Sequence, residues 1–232
     1  MKINALTLDH SYLQLMRLAG VALITALVLP WFMIYVRFVS AANTTDFSQT
    51  INAGSLNVDI VDANGTTVGS PSVSLSSMTF SFDKATTTGT FGTASQKVRL
   101  SNPTGTATRS VTVAATSGAT TVWTDGGSNT FDFNDPAFAD DGGDTDTKGG
   151  RLAVDPSGGT IAGVNGCATT NVSAGSSSAF NEGVTNSITL FSASLGASTY
   201  CRWDLTGVSL SQSIPAQQAG ATYTLNMTLT AS

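Results

Sequence analysis

Histidine is almost missing from this chain of 232 residues: the one example, His10, precedes a long apolar run. Everything downstream therefore lacks an imidazole, which excludes His-based catalytic triads, His-Glu-x-x-His peptidase sites and His-rich zinc sites. Charged residues are also scarce, at 11%. The Glu/Lys/Leu/Ala runs from which helices are usually built do not occur beyond the first forty positions. There are only two cysteines, neither in a Cys-x-x-Cys spacing, so a redox dithiol is excluded as well. What is abundant is Ser and Thr, together about a quarter of all residues, and Gly, with 23. That balance predicts an exported all-β chain rather than a disordered one.

The amino terminus explains the export. After Lys2 and Arg17, residues 18–36 run for 19 positions without a charge. As a helix at about 1.5 Å per residue they would extend roughly 28 Å, close to the thickness of a bilayer core. Ser40-Ala41-Ala42 then supplies small residues suited to signal cleavage. Residues 1–42 are thus a signal peptide or an uncleaved membrane anchor, and both place residue 43 onward outside the cytoplasm. In that oxidising setting Cys167 and Cys201 pair as one disulfide. From residue 43 onward seven basic residues face fourteen acidic ones, a net charge of −7 that repels nucleic acid and anionic lipid. Contact with a membrane is expected only through residues 18–36.

Alternation of apolar and polar residues recurs at 56–60, 73–75, 80–82, 98–100, 111–115, 121–123, 152–154, 160–164, 187–191, 199–205, 208–214 and 223–230. The stretches at 98–100 and 111–115 flank Asn102-Pro103-Thr104-Gly105 and predict a hairpin. Short strands separated by Gly/Ser/Asn/Thr turns predict a two-sheet β-sandwich, jelly-roll-like, preceded by one hydrophobic helix. Residues 43–232 form one domain, with an acidic loop inserted at 124–150.

That insertion carries the densest chemistry. Asp132, Asn134, Asp135, Asp140, Asp141, Asp144 and Asp146 place oxygen ligands at close intervals beside Gly142 and Gly143, the composition of a calcium loop, although the EF-hand spacing and its final Glu are missing. The run therefore reads either as a solvated acidic loop or as a calcium site, with calcium the one candidate cofactor. Asp135 with Asp155, or Asp204 with Glu182, can be written as a glycosidase pair, but no spacing selects them. No catalytic residues are assigned.

Two stretches resemble known families. Asp46-Phe47-Ser48-Gln49-Thr50-Ile51-Asn52-Ala53-Gly54-Ser55-Leu56-Asn57-Val58 resembles the opening of mature TasA/camelysin-type proteins, with Lys97-Val98-Arg99-Leu100-Ser101-Asn102 matching a later strand and its Asn turn. This resemblance implies an extracellular jelly-roll subunit that assembles into fibres, residues 43–51 being donated as a strand to a neighbour. The metallopeptidase role attributed to camelysins does not carry over to a chain without a downstream His. Trp203-Asp204-Leu205 and the run from Ile214-Pro215-Ala216 to Gly220-Ala221-Thr222-Tyr223-Thr224 are similar to WxL cell-surface domains, with Met227-Thr228-Leu229 where a second W-x-L belongs. The expected function is a non-catalytic surface or extracellular structural protein whose partners are itself or the cell envelope. The second expectation is a calcium-stabilised carbohydrate- or wall-binding module in which Trp123 or Trp203 stacks on a glycan.

Overall fold

The computed structural model describes residues 10–36, 48–52, 54–136 and 149–232, with side chains in the first stretch for 12–30. The chain divides into two compact units, Met1–Ile51 and Asn52–Ser232. The first contains α1 (His10–Val36), in which Tyr12–Pro30 is long and apolar enough to cross a membrane. Leu, Ala, Met and Val surround that helix on every side, so it has no polar face to turn to water.

The second unit contains the strands β1 (Asn57–Val61), β2 (Ala85–Phe91), β3 (Lys97–Asn102), β4 (Arg109–Ala115), β5 (Trp123–Thr124), β6 (Thr130–Phe131) and β7 (Arg151–Asp155). These are followed by β8 (Thr160–Gly163), β9 (Val172–Ala174), β10 (Ser178–Ala179), β11 (Ser187–Ala193), β12 (Cys201–Thr206), β13 (Val208–Ile214) and β14 (Met227–Ala231). They build an all-β sandwich of two layers. One layer, the folded sheet, consists of two four-stranded antiparallel sheets that meet end to end. Only Gly207 separates β12 from β13; β3 pairs with β12 while β2 pairs with β13, and on the other side β8 pairs with β12 while β7 pairs with β13. The four-stranded sheets β1-β3-β12-β8 and β10-β7-β13-β2 thus join through Gly207 as the two halves of this bent layer. The fold line needs glycine. Gly92 and Gly207 have φ of 79° and 78°, the Gly207 N–H donates to Gly92 O at 2.7 Å, and a Cβ on Gly92 would lie 2.9 Å from Leu205 O.

The second layer is the sheet β14-β4-β11-β9. Its inward residues Val111, Val113, Ile188 and Leu190 meet Val98, Leu100, Trp203 and Leu205 of the folded sheet in one continuous core. Each such side chain contributes about 1.5–3 kcal/mol through burial. A register shift between Thr189 and Phe191 turns both Leu190 and Phe191 inward. The far half of the folded sheet is covered by residues 116–136: Leu152 N–H donates to Phe133 O at 2.6 Å, and the Phe133 and Phe180 rings pack with centroids 5.1 Å apart. Cys167 and Cys201, 34 residues apart, are joined with Cα atoms 5.7 Å apart. That closure ties the loop after β8 to the start of β12 and contributes about 3–4 kcal/mol in the chain-entropy picture.

Two sequence expectations are corrected. The stretches at 98–100 and 111–115 do not form a hairpin: β3 pairs with β1 and β12, β4 with β14 and β11. The turn between them is a corner from one layer to the other, set by side chains. Buried Asn102 donates to Thr106 O at 2.8 Å and accepts from Thr104 N–H at 3.1 Å, while Arg109 donates to Thr106 O and Ala107 O. The stretches at 73–75 and 80–82 are not strands. They belong to an irregular strap, 71–84, joined to β2 by the single bridge Leu75↔Gly89, so the period-two pattern there has no ladder to serve.

Candidate functional site

Of the proposed calcium ligands, Asp140, Asp141, Asp144 and Asp146 lie outside the described residues. Asp132, Asn134 and Asp135 are placed, and they are buried rather than looped into solvent, Asp135 with 0% exposure. Their segment is sewn to the start of β7, with Asp132 N–H donating to Gly149 O at 2.9 Å and Asp135 N–H to Gly150 O at 3.0 Å. The Asp132 carboxylate accepts the Phe133 N–H at 2.7 Å, and the Asn134 amide donates to Ala119 O at 2.8 Å. Among the described residues no three Asp, Glu, His or Cys side chains gather as a metal site requires. The Asp132 and Asn134 side chains of this run are thus part of a polar wedge hydrogen-bonded inside the fold.

The other proposed carboxylates are also engaged. Asp155 accepts from Ser157 N–H and Oγ–H at 3.0 and 2.6 Å. Asp204 sits on β12 opposite Arg99 of β3, which donates to it from Nε at 2.7 Å and from Nη2 at 2.9 Å, and Lys97 Nζ adds an ion pair at 3.1 Å. Burial pushes the Asp204 carboxyl up, but the bonds from Arg99 and Lys97 outweigh it and hold the carboxyl below the usual range. A carboxylate held in that way is a poor proton donor at neutral pH.

Trp203, half of the W-x-L tripeptide, has 0% exposure and so has no face to offer a glycan. Its indole N–H donates to Ala168 O at 2.9 Å and the Arg109 guanidinium lies 4.0 Å over its ring. Arg109 is itself buried, and desolvation lowers its pKa. It anchors loops, donating to the carbonyls of Thr106, Ala107 and Ser198. Trp203-Asp204-Leu205 therefore combines two core residues with one outward charge, as a half-buried strand dictates.

Trp123 stands elsewhere. It lines a groove of about 490 Å³ bounded by the strap, by the β5–β6 hairpin and by residues 214–224. Trp123 and Phe131 stack with centroids 5.8 Å apart and 13° between planes, and Tyr223 meets Phe131 edge-on at 5.0 Å. Trp123 is fixed from below, its Nε1–H donating to Gln212 Oε1 at 2.9 Å, while Gln212 Nε2 donates to Asp132 O and Ser213 O at 3.1 and 2.7 Å. Buried Gln212 thereby links the acidic run to the aromatic wall. On the opposite side Gln217, held at φ 60°, donates its N–H to Ser81 O at 2.9 Å and joins the 214–224 turn to the strap. Gln218 Nε2 donates to Tyr223 Oη at 2.7 Å, and Tyr223 Oη donates to Ala219 O at 2.8 Å. Not one described residue lining this groove carries a charge.

Sequence reading found Trp123 and missed the rest of the groove. The available signal was charge: residues 63–82 and 205–232 are two uncharged runs, and the strap and the 214–224 turn come from them.

The class defined by these features is a disulfide-bonded, two-layer β-sandwich with an apolar N-terminal helix and an uncharged aromatic groove. Comparison with known protein families, characterised proteins and solved structures finds no match.

Proposed function

We propose that the chain is a non-catalytic exported surface protein that assembles with copies of itself by strand donation. The helix delivers the sandwich across the membrane, as a cleaved signal or a retained anchor, and the disulfide suits the compartment beyond it.

The observation that carries this reading is the edge at β14. Among the described residues that strand pairs with β4 alone, and β1, the edge of the facing layer, lies beside it without pairing. Ser110 and Ser232 exchange both backbone hydrogen bonds, at 2.7 and 3.0 Å. By antiparallel alternation Met227, Leu229 and Ala231 then point N–H and C=O away from β4, toward the seam. The side chains of these three residues, with Leu56 and Val58 across the seam, are only half-buried although they pack on the core. An edge that is apolar, unpaired and free of charge accepts another strand.

The donor in this reading is 43–51. Residues 43–47 lie outside the described residues, while Gln49, Thr50 and Ile51 are exposed, Ile51 at 89%. As a strand the segment would put Phe47 and Ile51 on one face, two apolar side chains that match the half-buried apolar residues of the seam. Electron microscopy of the oxidised protein tests this: filaments are expected from 43–232 and not from Asn52–Ser232. Filaments from the shorter form would sink the donor assignment.

A further inference from the structure

The groove described above is an unassigned binding site, and we propose that it takes an uncharged oligosaccharide. The inference does not depend on self-assembly, because the groove is built from the strap, the β5–β6 hairpin and the 214–224 turn rather than from the β14 edge.

Charge is the first argument. The chain has a formal net charge of −5, yet among the described residues the lining of this groove, contributed by four separate stretches, contains no ionisable group other than the Tyr223 phenol. A phosphorylated or carboxylated ligand would find no cation there, and a basic one no anion. A neutral ligand loses nothing by that absence.

The second argument is the pairing of rings with amides and hydroxyls. Pyranose rings present C–H faces that pack on aromatic side chains and equatorial hydroxyls that need donors and acceptors at the rim. Trp123, Tyr223 and half-exposed Phe80 supply rings. Gln218, Thr222 and Thr79 supply amide and hydroxyl groups around them. The volume of about 490 Å³ lies within the range of small-ligand sites.

The third argument is preorganisation. Trp123 is locked by Gln212, Tyr223 by Gln218 and Ala219, and the strap by the Gln217–Ser81 bond at a residue held in the left-handed region. A non-glycine residue kept at positive φ is a local strain that the surrounding contacts must sustain. An extended peptide is the competing occupant, and the strap opposes it: at Leu75↔Gly89 it already occupies the outer edge of β2, where a peptide strand would add.

The test uses the full-length protein in mild detergent, titrated by calorimetry with cellohexaose and with hexa-N-acetylchitohexaose. Polygalacturonate serves as the charged control and an acetylated Val-Ser-Val-Ser-Val-Ser amide as the peptide control. Saturable binding of at least one neutral sugar is expected, with no binding of polygalacturonate. Phe80→Ala and Gln218→Ala, both outside the core, are expected to weaken it about tenfold or more at unchanged Tm. The proposal is overturned if neither sugar binds, if sugar binding is unaffected in both variants, or if the peptide alone saturates the site.

Discussion

Replacing Asp204 by Asn removes one charge from a half-buried triad and leaves its shape intact. In the native protein Arg99 approaches Asp204 through two hydrogen bonds of 2.7 and 2.9 Å and Lys97 through one ion pair of 3.1 Å, and Asp204 is 6% exposed. Fully exposed pairs are worth about 0–1 kcal/mol, and removing one partner of a buried pair costs about 3–5 kcal/mol. Asp204→Asn leaves two cations side by side in an intermediate setting, so a loss of about 2–3 kcal/mol is expected, or a Tm lowered by about 4–12 °C for a unit of this size. The pH dependence separates charge from packing. The folded-state pKa of Asp204 is depressed, so its contribution is complete above the unfolded value of about 3.9 and is lost as pH falls through the folded value. Urea unfolding of the wild type and the Asn variant is therefore expected to differ at pH 7 and to converge in strong acid. A gap that stays constant down to strong acid would refute the electrostatic argument.

Two further outcomes follow from the geometry. At the fold line Gly207→Ala is expected to cost about 1–2 kcal/mol through its left-handed backbone alone. Gly92→Ala should cost more, because its Cβ also meets Leu205 O at 2.9 Å; equal urea midpoints for the two variants would contradict the placement of the bend. Calcium at the acidic insertion is a proposal that now rests mainly on Asp140, Asp141, Asp144 and Asp146. Millimolar calcium is expected to raise Tm through preferential binding to the folded form, and a Tm unmoved by calcium or chelator would remove it.

The parts of this fold legible in the sequence are those where burial and alternation coincide. Arg109, Val111, Val113 and Ala115 all point inward along β4, as do Val98 and Leu100 along β3, and these strands are plain from the residues. β2 is hidden because its inward positions include Thr87 and Gly89 rather than large apolar residues. The corner at 102–109 is hidden because it depends on Arg109 reaching Ser198 O, 89 positions away. The strap misleads in the opposite sense: Val73, Leu75, Phe80 and Phe82 alternate, yet Phe82 is 75% exposed and only Leu75 is bridged to a strand. The groove was least legible of all. Trp123, Phe131 and Gln212 belong to no motif, Tyr223 lies in a run that resembles a wall-domain motif rather than a groove, and taken singly all four are indistinguishable from core residues.

The central claim, that β14 is an edge built to receive a strand from another copy, is tested most directly by residue-resolved amide exchange. Rates at Met227, Leu229 and Ala231 would be compared between Asn52–Ser232 alone and the assembled 43–232 form. Fast exchange at these three amides in the isolated unit, and strong slowing on assembly or on adding a peptide of residues 43–51, is the predicted result. Unchanged rates there, or slowing confined to another edge such as β9 or β10, would contradict it.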